Sequence, residues 1–145
     1  MPLIDYFTAP SDADAARVLP GSGGPAALGF DTLAANGIDP AVTLGTLESI
    51  LTDRSYDEVA TESRQCHLLT DGEAEAFVVT VTDTVRDALA AASAERLRQA
   101  AEPWAATEEL AGTAPAMLAE TLEQLAALAR RALERTHHLY CWWAL

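Results

Sequence analysis

The stretch PAMLAETLEQLAALARRALERT, residues 115–136, constrains the chain more than any other. Leu118, Leu122, Leu125, Ala129 and Ala132 recur at three- and four-residue spacing, which draws one apolar stripe along a helix. Glu120 and Glu123 stand near its start, and Arg130, Arg131 and Arg135 near its end. That order complements the helix dipole. A long helix with one apolar face needs a surface to lie on. The residues that follow, HHLYCWWAL (137–145), hold two of the three tryptophans, two of the three histidines and one of the two cysteines. LYCWWAL reads as a closing strand. In an extended chain Leu139, Cys141, Trp143 and Leu145 share one side, and His138, Tyr140, Trp142 and Ala144 the other. A tryptophan on each side fits a strand covered on both faces. It also fits one face in the core and the other in a partner, because tryptophan and tyrosine are enriched at interface hot spots.

Upstream, LIDYF reads as a short strand, with Ile4 and Tyr6 on one face and Leu3 and Phe7 on the other. Ser11 is placed to cap a short helix, and PGSGGP (20–25) stops it as a flexible connector without dinucleotide-fingerprint spacing. Asp39 and Pro40 open the next helix. Its apolar face is Val42, Leu44, Leu47, Ile50 and Leu51, and Gly45 marks a close approach by a neighbour. Ser55 and Glu58 have capping-box spacing. AFVVTV is β-branched and aromatic, which favours a strand at 76–81, although Val78, Val81 and Val85 also fit a helix. Thr82 or Asp83 then caps a helix, Ser93 caps another, and Pro103 is expected to break the chain. The expected architecture is a single α+β domain, residues 1–145. Its small sheet contains the first strand, the 76–81 strand and the C-terminal strand, packed by the 115–136 helix.

The formal charge is −13, and all nine bases are arginine. Without lysine there is no P-loop lysine, Schiff base or lysine general base. Residues 1–83 carry 14 acids against 3 arginines, and residues 84–145 carry 8 against 6. The acidic front half repels a polyanion and attracts a basic partner, so nucleic acid is not an expected ligand. The start of the chain lacks a basic region and a long apolar run, and no stretch has the length of a membrane span. Two cysteines without a signal lead to an expectation of reduced thiols in a cytoplasm.

Cys66, His67, His137, His138 and Cys141 are all legitimate zinc ligands, but their spacing is poor. In an extended 137–141 segment the ends lie roughly 13 Å apart, at about 3.3 Å per residue. No C-x-x-C pair is present, so no metal and no cofactor are expected. A cysteine buried among aromatic residues is inert, so Cys141 is not expected to be a nucleophile. EPWAATEEL (102–110) is more informative. Glu108 and Glu109 point about 100° apart on a helix and are a poor acid/base pair. One reading makes Trp104 an anchor, with Thr107 capping a short turn. The other makes Trp104, Thr107, Glu108 and Glu109 a small pocket that takes a cationic or hydroxylated ligand together with Tyr140 and Trp142 of the tail.

WAATEEL and LARRALERTHHLYCWWAL resemble a family of small uncharacterised actinobacterial proteins. More distantly, the chain is similar to YfbM-like domains of unknown function. The shared features are the first strand, the helix IDPAVTLGTLESILTD ending in LT, and the capped helix pair in TDTVRDALAAASAERLRQAA. A long helix running into a last strand completes them. The LT helix lacks the Trp and His often found there in YfbM-like domains, so a histidine-based activity does not transfer. The resemblance implies an α+β fold and supplies no catalytic residue. The composition favours a non-catalytic acidic interaction module, inhibitor- or immunity-like, with a basic protein or a second copy of the chain as partner. The alternative is a small-molecule binder or small enzyme built around Trp104, Glu108 and the C-terminal strand.

Overall fold

The computed structural model describes residues 2–145. In chain order the elements are β1 (Leu3–Ala9), α1 (Asp12–Ala15), β2 (Thr32–Ala34), α2 (Val42–Thr52), α3 (Tyr56–Ala60), β3 (Ala76–Thr80), α4 (Asp83–Ala91), α5 (Ala94–Ala105), α6 (Pro115–Glu134) and β4 (His138–Ala144). Short 3-10 turns occupy Ala26–Leu28 and Glu108–Leu110. The architecture is α+β, as expected. The three expected strands join β2 in an antiparallel sheet ordered β2-β1-β4-β3. β2 is too short for an alternating pattern to announce it, and pairing with β1 defines it, Asp5 opposite Ala34 and Phe7 opposite Thr32.

The closing strand is interior. Leu3 pairs with Ala144 and Ala9 with His138 on one side, and Ala76 pairs with Ala144 and Thr80 with Tyr140 on the other. Its alternation sends Leu139 and Cys141 into one core with Ile4, Tyr6 and Val79. There α6 lies on the sheet, and its whole predicted stripe is buried. Ala126, Ala129 and Ala132 are small enough to bring its backbone close. Trp143 sits half-buried at the margin of that core, its ring 5.6 Å from Phe77.

The opposite face carries a second core of Phe7, Val78, Tyr140 and Trp142, covered by Ala15, Val18, Phe30 and Leu69. PGSGGP is therefore more than a connector. Gly24 and Pro25 are buried, and a Cβ on Gly24 (φ +89°) would lie 3.2 Å from the Trp142 ring. Both sheet edges are blunted. β2 is short, and the strand edge of β3 is met by the 67–70 segment, Leu69 N–H donating to Val78 and Thr80 N–H to His67.

The capping residues do their expected work. The hydroxyls of Ser11, Ser55, Thr82 and Ser93 each accept from the N–H three residues on. Asp39 accepts from the N–H groups of Ala41, Val42 and Thr43, although the regular helix begins only at Val42. That offset leaves Val42 exposed instead of on the buried face. Gly45 is a close approach: a Cβ there would meet Tyr56 at 2.9 Å. Pro103 does not break the chain. α5 runs through it to Ala105, because Ala100, Ala101 and Trp104 bury that stretch against α6 and α2.

Candidate functional site

The EPWAATEEL segment does not form the pocket considered for it. Trp104 is fully buried, and its Nε1–H donates to the Thr43 carbonyl at 3.0 Å, pinning α5 to the first turn of α2. Thr107 occupies the N-cap position of the 3-10 turn, but its hydroxyl donates back to the Trp104 carbonyl at 2.6 Å instead of capping. Glu108 and Glu109 are exposed. Tyr140 and Trp142 belong to the second core, on the far side of the sheet from Trp104. One sheet thus separates the two halves of the expected site. Glu109 alone lines a cleft, of about 240 Å³, with Asn36, Thr113, Met117 and Thr121. In the tail Tyr140 and Trp142 are buried and β4 is paired on both edges, which leaves Trp143 half-buried and Leu145 exposed.

Polar side chains gather at the end of the sheet where β1 leaves and β4 enters. Tyr140 Oη donates to Asp12 Oδ1 at 2.7 Å, and Arg64 Nη1 donates to the same oxygen at 3.0 Å. Burial pushes the Asp12 carboxyl up, but these two hydrogen bonds outweigh it and hold it below the usual carboxylate range. The same cluster raises Tyr140, through burial first and the Asp12 contact second. The Arg64 guanidinium lies 5.6 Å from the Tyr140 ring centroid, and its Nε and Nη2 are buried without a hydrogen-bond partner. The ring face is the remaining attraction for that cation. Beside it His138 Nδ1 lies 2.7 Å from Asp83 Oδ1, and Arg86 Nη1 lies 3.2 Å from the same atom. Arg86 Nη1 also donates to the His137 carbonyl, tying α4 to the start of β4.

A second polar group is deeper. Glu48 is 2% exposed. It accepts hydrogen bonds from the hydroxyls of Thr82 and Thr84, and Arg54 Nη1 stands 3.7 Å from its Oε2. Thr82 also caps α4, so one side chain locks α2 to the α4 N-terminus. The adjoining space, bounded by Gly45, Glu48, Cys66 and Thr82, measures only about 10 Å³, the size of one water. Burial and the nearby Asp39 charge push the Cys66 thiol up to about 11, and burial raises the enclosed Cys141 well above its ordinary value. Neither thiol is an activated nucleophile at neutral pH.

Neither cluster was legible as a site. Asp12 and Asp83 lie in the first turn of a helix, where an acid is ordinary, and Arg64 carried no signal at all. Glu48 sits in the apolar run of α2, one residue after Leu47, where nothing marks it as interior. Among the described residues no group of three His, Cys, Asp or Glu side chains is placed to hold a metal ion, and no helix is long and apolar enough to cross a membrane. No protein-family model matches the chain, and no curated protein or solved structure matches it.

Proposed function

We propose that this chain is a non-catalytic interaction module whose acidic surface binds a basic protein, in the manner of an inhibitor or immunity protein. The supporting observation is the fate of its cations. Arg17, Arg54, Arg64, Arg86, Arg131 and Arg135 lie on carboxylates of the chain itself. Arg96 and Arg130 donate to carbonyls at the ends of α2 and α4. Apart from the exposed Arg98 the positive charge is used internally, while Asp53, Asp57, Asp71, Glu73 and Glu75 face solvent. A field of that kind steers a basic partner and rejects nucleic acid. A reducing cytoplasm fits its two unpaired cysteines. We propose, too, that the similarity to YfbM-like domains extends to the order of elements: a first strand, a capped helix pair and a long helix entering the last strand.

The test is capture from native lysate with the full chain as bait, at low and at 0.5 M added NaCl, alongside the triple variant Asp53→Asn, Asp57→Asn and Glu73→Gln. The expected result is a stoichiometric basic protein, released by salt and lost or weakened about tenfold by the variant. Recovery of no stoichiometric partner, or of one indifferent to both salt and variant, overturns the proposal.

A further inference from the structure

A cleft of about 190 Å³ opens beside the end of the β1–β4 pair, bounded by Pro2, Ile4, Gly37, Asp39 and Trp143. Its floor is a cross-strand pair, Ile4 opposite Trp143. Trp143 lines the cleft and also packs on Phe77, its partner on β3, with ring centroids 5.6 Å apart. The wall is the turn that leads from β2 into α2. Gly37 in that turn has a φ of +90°, with nothing within 4 Å of the place a Cβ would take. Among the described residues the lining of the cleft is mostly apolar, with one carboxylate and no arginine. The neighbouring cleft shares Gly37 and adds Glu109, again with no arginine. Its volume falls below the roughly 300 Å³ at which drug-sized ligand sites begin, so only a small molecule fits.

We propose that the Trp143 cleft binds a small organic cation of the trialkylammonium kind. Such a group offers an apolar surface carrying a spread positive charge, which the face of an indole attracts more strongly than any other side-chain ring. A compact, strongly hydrated ammonium would have to give up water that this lining cannot replace. The apolar lining instead suits the methyl groups. Asp39 contributes through its field more than by contact, because its oxygens already serve the N–H groups at the start of α2. The net charge of −13 adds a long-range attraction that no neutral ligand of the same shape shares. The cleft is independent of the acidic surface proposed to meet a protein partner, and each can fail alone.

The full chain is titrated with choline and, separately, with 3,3-dimethyl-1-butanol, its uncharged counterpart of the same shape. The indole N–H resonances of Trp104, Trp142 and Trp143 are followed by NMR. The expected result is a saturable shift of the Trp143 signal, with choline binding about tenfold tighter than the alcohol. Trp143→Leu should abolish choline binding, and Trp143→Phe should retain it within about tenfold. Backbone spectra establish that both variants remain folded. If Trp143→Leu unfolds, the comparison of choline with the alcohol on the unaltered chain decides alone. Equal affinity for the two probes makes the cleft merely apolar and overturns the proposal. So does the absence of a saturable shift, or choline binding that moves another indole and survives in folded Trp143→Leu.

Discussion

Thr136 shows how a single residue records what the fold demands. It follows the last turn of α6 with a φ of +58°, a left-handed conformation that a β-branched side chain rarely adopts. His137 N–H donates to the Ala132 carbonyl at 2.7 Å, and Thr136 N–H to Leu133 at 3.1 Å, which together close the helix in a Schellman motif. That closure turns the chain directly into β4, where both tail tryptophans must enter their cores. The Thr136 side chain is exposed, so its identity contributes only strain. Thr136→Gly should therefore raise the unfolding free energy by about 1 kcal/mol. A shift of the urea midpoint upward with an unchanged slope is the expected reading. A downward shift would mean that the threonine makes a stabilising contact in solution. Glu48 is the converse case, a residue whose importance rests entirely on the Thr82 and Thr84 hydroxyls that another element brings to it.

Elements were legible where their period is strong and their caps are chemical. The stripe of α6, the β-branched run of β3, and the caps Ser11, Ser55, Thr82 and Ser93 all depend on neighbours in sequence. Asp31 shows the limit. It precedes β2, which no pattern announced, yet it accepts from Arg131 Nε at 2.6 Å and Arg135 Nη1 at 3.0 Å, fastening the start of β2 to the last turns of α6. Partners a hundred residues apart leave no local trace. The Pro103 expectation failed for the same reason, since burial of Trp104 outweighed a local breaker. The Arg131 hydrogen bond, helped by Arg135, holds the Asp31 carboxyl below its unfolded value of 3.8. A carboxyl lowered on folding stabilises the protein above its unfolded pKa, and this contribution is lost as pH falls through the folded value. Asp31→Asn should then cost about 1 kcal/mol at neutral pH, kept small because both arginines are nearly half exposed and screened by solvent. The gap between the two proteins should close as pH drops below 3.8. Denaturation curves at several pH values check this, and a gap that persists in acid would assign the loss to shape instead of charge.

For the whole molecule, the two cores and the charge pattern pull in different directions. The sheet buries both faces, one under α6 and one under the segment ending at Phe30, which ties the two ends of the chain into adjacent strands. The surface works against that compactness. With eight of its nine arginines bound to internal partners, the net −13 is expressed as repulsion among exposed carboxylates. Two electrostatic effects therefore respond to salt with opposite signs. Screening weakens exposed pairs such as Arg17–Asp14, each contributing about 0–1 kcal/mol, and it also relieves the repulsion summed over the surface. Pairs at contact distance lie inside the screening length of roughly 10 Å at 0.1 M salt, whereas repulsion between separated acids lies largely beyond it. Added salt should thus remove more repulsion than attraction. The melting temperature should rise by about 2–4 °C between low salt and 0.5 M NaCl, for a gain near 1 kcal/mol in a domain of this size. Scanning calorimetry across a NaCl series measures it directly. A melting temperature that falls with salt would show that the arginine pairs outweigh the surplus acids. In that event the exposed carboxylates would no longer be an uncompensated field available to a basic partner.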